Sequence, residues 1–394
     1  MSVIYLDNAA TTFPKPRSVS LEAARCIRYY CGNPGRSSHA LAKASAGKIY
    51  ECRERASAFF GSEAPEAVVF TMNATYALNA AIKGILRRGD HVLISDMEHN
   101  AVYRPIEKLS RENFITYDVF STVKDGVPLP DGDIIKSIKS LIKPSRTRML
   151  ICSHVPNICS VVRPIAKIGE LCRKYGIVFV LDAAQSAGHL PIDVVKDNID
   201  ILCAPAHKGL FGIQGCGFML INGKSIPRPV VEGGNGVDSL EWKMPELLPE
   251  RLEAGTLPTP SIAALSEGIG FISQIDRREI FLHECGLFAR ARDMILNSPE
   301  LSARIYMPEH EGAVLLFSLG DIPSETVGRY LADRGICVRS GFHCSALGHK
   351  ALGTPESGAV RASFSIFNGM RDVDSLVEGL KSCVADIKKS VFEF

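Results

Sequence analysis

Residues 177–209 read IVFVLDAAQSAGHLPIDVVKDNIDILCAPAHKG, in which two short apolar runs are each closed by charged or ionisable residues: Asp182 after the first, His207 and Lys208 after the second. Neither run alternates apolar with polar residues. That is the signature of strands buried on both faces, and hence of a parallel sheet covered by helices. In open sheets of this kind ligands bind at the carboxyl ends of the strands. The stretch therefore places an acid, an imidazole and an amine at the functional edge of an α/β layer.

The pattern repeats on both sides. HVLIS (91–95), MLICSH (149–154) and GFMLI (217–221) are further continuous runs. ATYALNAAIKGILRR (74–88) and PIAKIGELCRKYG (164–176) carry apolar residues at three- and four-residue spacing and close on basic residues before Gly89 and Gly176, predicting helices to those ends. Pro and Gly then thicken over 227–260, which reads as loop and as a connection between domains. Beyond it come the strand-like AVLLFSL (313–319) and AVRASFSIF (359–367), a helix near 324–335 and a terminal helix. The expected fold class is α/β, with a mostly parallel sheet in a large domain (16–260) and a smaller α+β domain made of 1–15 and 261–394.

At 394 residues the chain is long enough for about two or three domains. A charged fraction of 22% and a formal net charge of +2 give no field that favours nucleic acid or an anionic membrane. No run of eighteen apolar residues occurs and no basic-then-apolar leader opens the chain, so a cytoplasmic location and small-molecule or protein partners are expected. The twelve cysteines include no C-x-x-C pair and are expected to be reduced thiols.

Asp182 alone fits a turn or cap aspartate, and Lys208 alone fits a lysine that reaches the surface. A desolvated lysine at a strand end is equally suited to form a Schiff base. FTMNATYALN (70–79) adds a strand-to-helix junction where Ala74 and Thr75 offer amides and a hydroxyl to a phosphate, although Asn73 is also an ordinary N-cap. Schiff-base lysine, strand-end acid and phosphate seat together suit pyridoxal 5'-phosphate, whose ring nitrogen must stay protonated. A carboxylate about 4 Å from a pyridinium at an effective dielectric near 20 is worth roughly 4 kcal/mol, about three pK units.

With YLDNAATT (5–12), NPGRSSHALA (33–42), DMEHNAV (96–102), AHKGLFGIQGCG (206–217), RLEAGT (251–256) and RSGFHCSALGH (339–349) in the same order, the chain resembles the cysteine desulfurases of the class V aminotransferase superfamily, fold-type I pyridoxal phosphate enzymes. The likeness is to the branch with a short loop around the cysteine. It implies an aspartate aminotransferase-like fold and a homodimer that converts L-cysteine to L-alanine. Sulfur would pass to Cys344 as a persulfide and then to an acceptor protein, as in iron-sulfur cluster assembly. It further implies that Lys208 holds the cofactor, Asp182 its ring nitrogen and Gln185 its phenolic oxygen, and that His99 stacks on the ring and takes part in catalysis. Ala74, Thr75, His207 and, from a second subunit, Thr256 would hold the phosphate. Asn157 and Arg361, with Arg339 nearby, would hold the substrate carboxylate.

Two departures from the family pattern carry expectations. Pro205 and Ala206 stand where relatives place a hydroxyl, which weakens the phosphate seat, and Ser160 and Val161 replace Gly-Thr, which reshapes the substrate pocket. Thiolate formation at Cys344 needs help from His343, Arg339 or the bound substrate, since a free thiol is only a few per cent ionised at neutral pH. His343, Cys344 and His349 also spell three zinc ligands in seven residues, but adjacent ligands suit a tetrahedral site poorly and no fourth is near, so no metal is expected. Selenocysteine lyase, cystine β-lyase and aminotransferase activities remain open alternatives, as does a non-catalytic sulfur-trafficking scaffold.

Overall fold

The computed structural model describes residues 3–35, 38–310, 312–354 and 356–392; Arg36 and Ser37 of the 33–42 motif lie outside the described residues. Seven strands form the central sheet in the order Val68–Thr71, Gly217–Ile221, Ile201–Pro205, Val178–Asp182, Thr147–Ser153, His91–Ser95 and Thr116–Phe120. Gly217–Ile221 is antiparallel to both neighbours and the other strands share one direction, giving the mostly parallel sheet that the continuous apolar runs predict. Every residue of Val178–Asp182 and Ile201–Pro205 is buried, because helices cover both faces.

Helix Ile165–Tyr175 ends at Gly176, which takes the left-handed conformation (φ 66°) that a residue without Cβ adopts at no cost. The expected helix over 74–88 is shorter, Ala74–Ile85. Leu86 turns extended and is fully buried, and its carbonyl accepts from Arg228 Nη2 at 2.9 Å, so Arg87 and Arg88 belong to the following loop. Burial of one leucine overrides the helical periodicity there.

The stretch 227–260 carries no helix until Thr259–Ile275, but it is more than a connection. Arg228 anchors it to the helix end at Gly84, and Glu253 binds Arg53 and the Phe70 amide, so it wraps the large core. Helix Thr259–Ile275 is apolar along most of its length and joins that same core through Ile262, Leu265, Ile269 and Ile272. Ile280 of helix Arg277–Leu296 still packs in the first core, while Leu287 and Phe288 of the same helix belong to the second, so this helix reaches both cores.

The second core lies on a four-stranded antiparallel sheet ordered Ala303–Tyr306, Val314–Leu319, Ala359–Ser363 and Arg339–Gly341. The N-terminal strand Ile4–Tyr5 adds to this unit by pairing with Ile336–Cys337. A separate cluster of Met97, Ile158, Val161, Tyr306, Leu316 and Leu352 fills the junction between the two units. Ser160 clamps that junction, accepting from the Val314 amide at 3.0 Å and donating to its carbonyl at 2.9 Å. Ser160 and Val161 thus join the units, and Ser160 also lines a small pocket that Lys208 and Gln185 border from the other side. Among the described residues no helix is long and apolar enough to cross a membrane.

Candidate active site

A cavity of about 270 Å³ opens at the carboxyl edge of the central sheet. Ala74, Thr75, His99, Asn157, Asp182, Gln185, His207 and Lys208 all line it. Strand ends deliver these groups: Asp182 closes one strand, Lys208 follows the Ile201–Pro205 strand, and Ala74 and Thr75 open a helix whose N-cap Asn73 accepts from the Tyr76 amide at 3.1 Å. Thr256 is elsewhere, in a separate cleft of about 490 Å³ that Thr75 also borders.

Burial dominates the electrostatics. It pushes the Lys208 amine down to about 8, against a partial offset from Asp182, with Arg361 and Arg339 adding to the fall. It pushes the Asp182 carboxyl up, and the Ala184 amide (2.9 Å) and Lys208 counter that rise. His99 and His207 are both driven to about 4, again by burial first and Lys208 second, so both rings are neutral at physiological pH. Neutral His99 accepts from the Ala101 amide through Nδ1 at 3.0 Å, which caps helix Asn100–Arg111 and fixes the ring at the cavity wall.

Glu98, next to His99, was not legible as a site residue. Fully buried, it accepts from Ser95 Oγ (2.5 Å), the Ser153 amide (2.9 Å) and Ser153 Oγ (2.8 Å), tying two strand ends together beneath the cavity. Its carboxyl is pushed up to about 7 by burial, with Asp182 adding to the rise. Asp7 was also missed: its Oδ1 takes Arg361 Nη2 at 2.6 Å. The only signal for either was membership of the quoted motifs.

Arg361 is 1% exposed; its Nη1 donates to the Asn157 carbonyl at 2.9 Å and its Nε has no partner. Arg339 is its register partner on the neighbouring antiparallel strand. Residues directly opposite in such a pair share a face, so two guanidinium groups rise together beside the cavity. From Arg339, Nη2 lies 3.7 Å from Cys344 Sγ.

The Cys344 loop is held from several sides. His343 and Cys344 both have left-handed backbone (φ 53° and 56°), a conformation costing about 1–2 kcal/mol per non-glycine residue. The Asn157 side-chain amide donates to the His343 carbonyl at 2.6 Å, and the Cys344 carbonyl accepts from the Asn100 amide at 2.8 Å, beside His99. His343 is not positioned to activate the thiol: Nδ1 faces His349 Nε2 at 3.1 Å, Nε2 faces the Arg339 carbonyl at 3.2 Å, and burial drives the ring to about 3. Of the protein groups the sequence offered as activators, Arg339 alone is against the sulfur. Among the described residues no cluster of three His, Cys, Asp or Glu side chains is arranged to hold a metal.

The cavity suits pyridoxal phosphate on its own donor set. The imidazole Nδ1 of His207 and the side-chain oxygen of Asn157 are buried without partners among residues lining it, beside a buried acid and a depressed amine. Pro205 also lines the cavity and, as a proline, offers it no hydrogen-bond donor.

The class-V aminotransferase family profile matches residues 4–376. The chain belongs to that family. This class V chain is 30% identical to a probable cysteine desulfurase from Methanothermobacter thermautotrophicus, over 96% of its own length and 94% of that protein's. Identity to a cysteine desulfurase from Escherichia coli is 29%, over 97% and 93%. Among solved structures, the apo cysteine desulfurase from Thermococcus onnurineus NA1 superposes with a TM-score of 0.86 at 28% identity, covering 98% of this chain and 95% of that one. A cysteine desulfurase from Escherichia coli in its S-sulfonic acid form shares the fold (TM-score 0.85, 24% identity, 97% and 95% covered).

Proposed function

We propose that the protein is a pyridoxal phosphate-dependent cysteine desulfurase that moves the sulfur of L-cysteine onto Cys344 and releases L-alanine. The observation that carries this reading is the link from Lys208 to Cys344: the depressed amine lines a cavity whose wall residue Asn157 hydrogen-bonds the backbone of the cysteine loop. Lys208 and Asp182 would hold the cofactor, with His99 against its ring, Gln185 beside it, and Ala74, Thr75 and His207 at the phosphate. When bound, pyridoxal phosphate supplies the electron sink that makes the substrate's Cα–H and Cβ–S bonds labile.

The chain's own groups do the rest. Lys208, close to half ionised near pH 8, takes the Cα proton and returns one to the carbon skeleton. Arg361 Nε, lacking a partner, binds the substrate's carboxylate with Arg339 adding positive charge; the Asn157 side-chain N–H is already given to the His343 carbonyl, so its free Oδ1 accepts from the substrate's amino nitrogen instead of holding the carboxylate as the resemblance implies. Cys344 attacks the substrate sulfur as its Cβ–S bond breaks. L-cysteine and the Cys344 thiol become L-alanine and the Cys344 persulfide, with no net oxidation, and an acceptor protein then takes the sulfur.

Two further parts of the proposal concern assembly and compartment. Thr256 stands outside the Lys208 cavity, and Leu240 and Trp242 are 95% and 100% exposed on the 227–260 segment; both support a homodimer in which Thr256 completes the neighbour's phosphate seat. The exposed cysteines Cys31 and Cys344 are free thiols, which supports a reducing, cytoplasmic setting.

The test is alanine and sulfide production from L-cysteine by wild type, Lys208→Ala and Cys344→Ser. Loss of both products in each variant is expected. Undiminished alanine from Cys344→Ser would remove the persulfide step and favour a lyase.

A further inference from the structure

Two histidines in the cysteine loop are left unused by the mechanism. His343 and His349 are each less than 5% exposed, their rings nearly parallel (10°) with centroids 5.3 Å apart. Their hydrogen bonds form a chain with one consistent direction. The Arg339 carbonyl can only accept, so His343 Nε2 bears the proton and Nδ1 accepts. His349 Nε2 must then donate to it across 3.1 Å, and His349 Nδ1 accepts from Thr354 Oγ1 at 2.8 Å. Both rings are held neutral: burial drives His343 to about 3 and His349 to about 4, with Arg361 adding to the fall at His343.

This chain starts at Thr354, just beyond helix Ala346–Leu352, and ends on the strand that carries Arg339. It brackets the two consecutive left-handed residues, His343 and Cys344. Within the loop Phe342 meets the His349 ring edge-on at 5.4 Å, and the adjoining Gly348 sits so close to Ser345 Oγ and to Ile158 of the junction core that a Cβ there would clash with both.

We infer that His349 is a positioning residue for sulfur transfer: oriented by Thr354 and acting through His343, it holds the loop backbone that keeps Cys344 beside Arg339 and the His99 rim of the cavity. The inference rests on the desulfurase reading for its kinetic consequence but not for its structural one.

The test uses the cofactor-loaded protein with His349→Leu, His349→Gln and Thr354→Val. Leucine removes the donor; glutamine keeps an N–H able to reach His343. For alanine formation from L-cysteine, His349→Leu should lower kcat roughly 100-fold with KM nearly unchanged, the scale of a reacting group displaced by about 1 Å. His349→Gln should recover to within about tenfold of wild type, and Thr354→Val should fall between, since it orphans one buried acceptor. Backbone amide exchange at residues 343–345 should accelerate about tenfold or more in the leucine variant and not in the glutamine variant. Equal kcat losses for leucine and glutamine, an unchanged kcat in His349→Leu, or unchanged exchange at 343–345 would each overturn the inference. If wild type makes no alanine, the desulfurase reading fails and the exchange measurement alone decides; if the leucine variant does not fold, the Thr354→Val and glutamine variants decide.

Discussion

The Asn157 side-chain amide donates to the His343 carbonyl at 2.6 Å, while the Asn157 carbonyl accepts from Arg361 Nη1 at 2.9 Å. One residue therefore spans the anion-binding arginine and the cysteine loop. Its side-chain oxygen is buried without a partner, in a residue that lines the Lys208 cavity.

Asn157→Ala should consequently damage two functions together. It leaves the His343 carbonyl without its side-chain donor and removes a substrate contact, a combined loss of about 3 kcal/mol, or roughly 100-fold in kcat/KM. Steady-state kinetics with L-cysteine should show KM rising and kcat falling. A change confined to KM would mean that the link to the loop carries no function. Asn157→Asp should not rescue, because a carboxylate cannot donate to a carbonyl.

The Lys208 amine makes a prediction about pH. An amine forms a Schiff base only when neutral, and Lys208 is pushed down to about 8 by burial. In cofactor-free protein the rate of reconstitution with pyridoxal phosphate, followed by absorbance, should rise with pH and level off with a midpoint near 8. Asp182 works against the shift by favouring the charged amine, so Asp182→Asn should move the midpoint lower. A midpoint near the ordinary lysine value of about 10.4 would show that Lys208 is solvated.

Legibility in the sequence followed burial and locality. Val178–Asp182 and Ile201–Pro205 were readable because strands covered on both faces are continuously apolar, and that placed Asp182 and Lys208 at one edge. Thr116–Phe120 was not, since this edge strand is half-exposed and TYDVF carries no such run. The site residues missed are those whose partners lie far away in the chain: Arg361 and Asp7 are 354 positions apart, and Glu98 holds Ser153 across 55. Within the zinc-like spelling of 343–349, His343 Nδ1 faces His349 Nε2 at 3.1 Å, a geometry that spacing alone does not reveal.

Arg53 and Glu253 form a buried pair at 2.6 Å, with Glu253 also accepting from the Phe70 amide at 2.6 Å and Arg53 donating to the Val68 carbonyl. The pair fastens the 227–260 segment to the first strand of the sheet, three residues before Thr256. Glu253→Ala leaves a buried guanidinium without its counter-ion and should destabilise the fold by about 3–5 kcal/mol. Replacing both partners, Arg53→Met with Glu253→Leu, should recover most of that loss, as measured by urea unfolding. If the double variant is as unstable as the single one, the Phe70 amide bond and not the ion pair holds the segment.

Two helical glycines separate packing from propensity. Alanine is ordinarily the better helix former by about 0.8–1 kcal/mol. At Gly286, in helix Arg277–Leu296, a Cβ would meet nothing within 4 Å, so Gly286→Ala should stabilise by about that amount. At Gly169, in helix Ile165–Tyr175, the same Cβ would overlap the Asp197 carbonyl oxygen and lie 3.1 Å from that of Asn198. Those carbonyls belong to the backbone leading into strand Ile201–Pro205, which Lys208 follows, and cannot swing aside as a side chain would. Overpacking of this kind costs about 1–3 kcal/mol and should outweigh the propensity gain, making Gly169→Ala net destabilising. Paired urea melts should therefore give opposite signs for the same chemical change. If Gly169→Ala stabilised as Gly286→Ala does, the helix would have to sit farther from residues 197–198 than the structure places it.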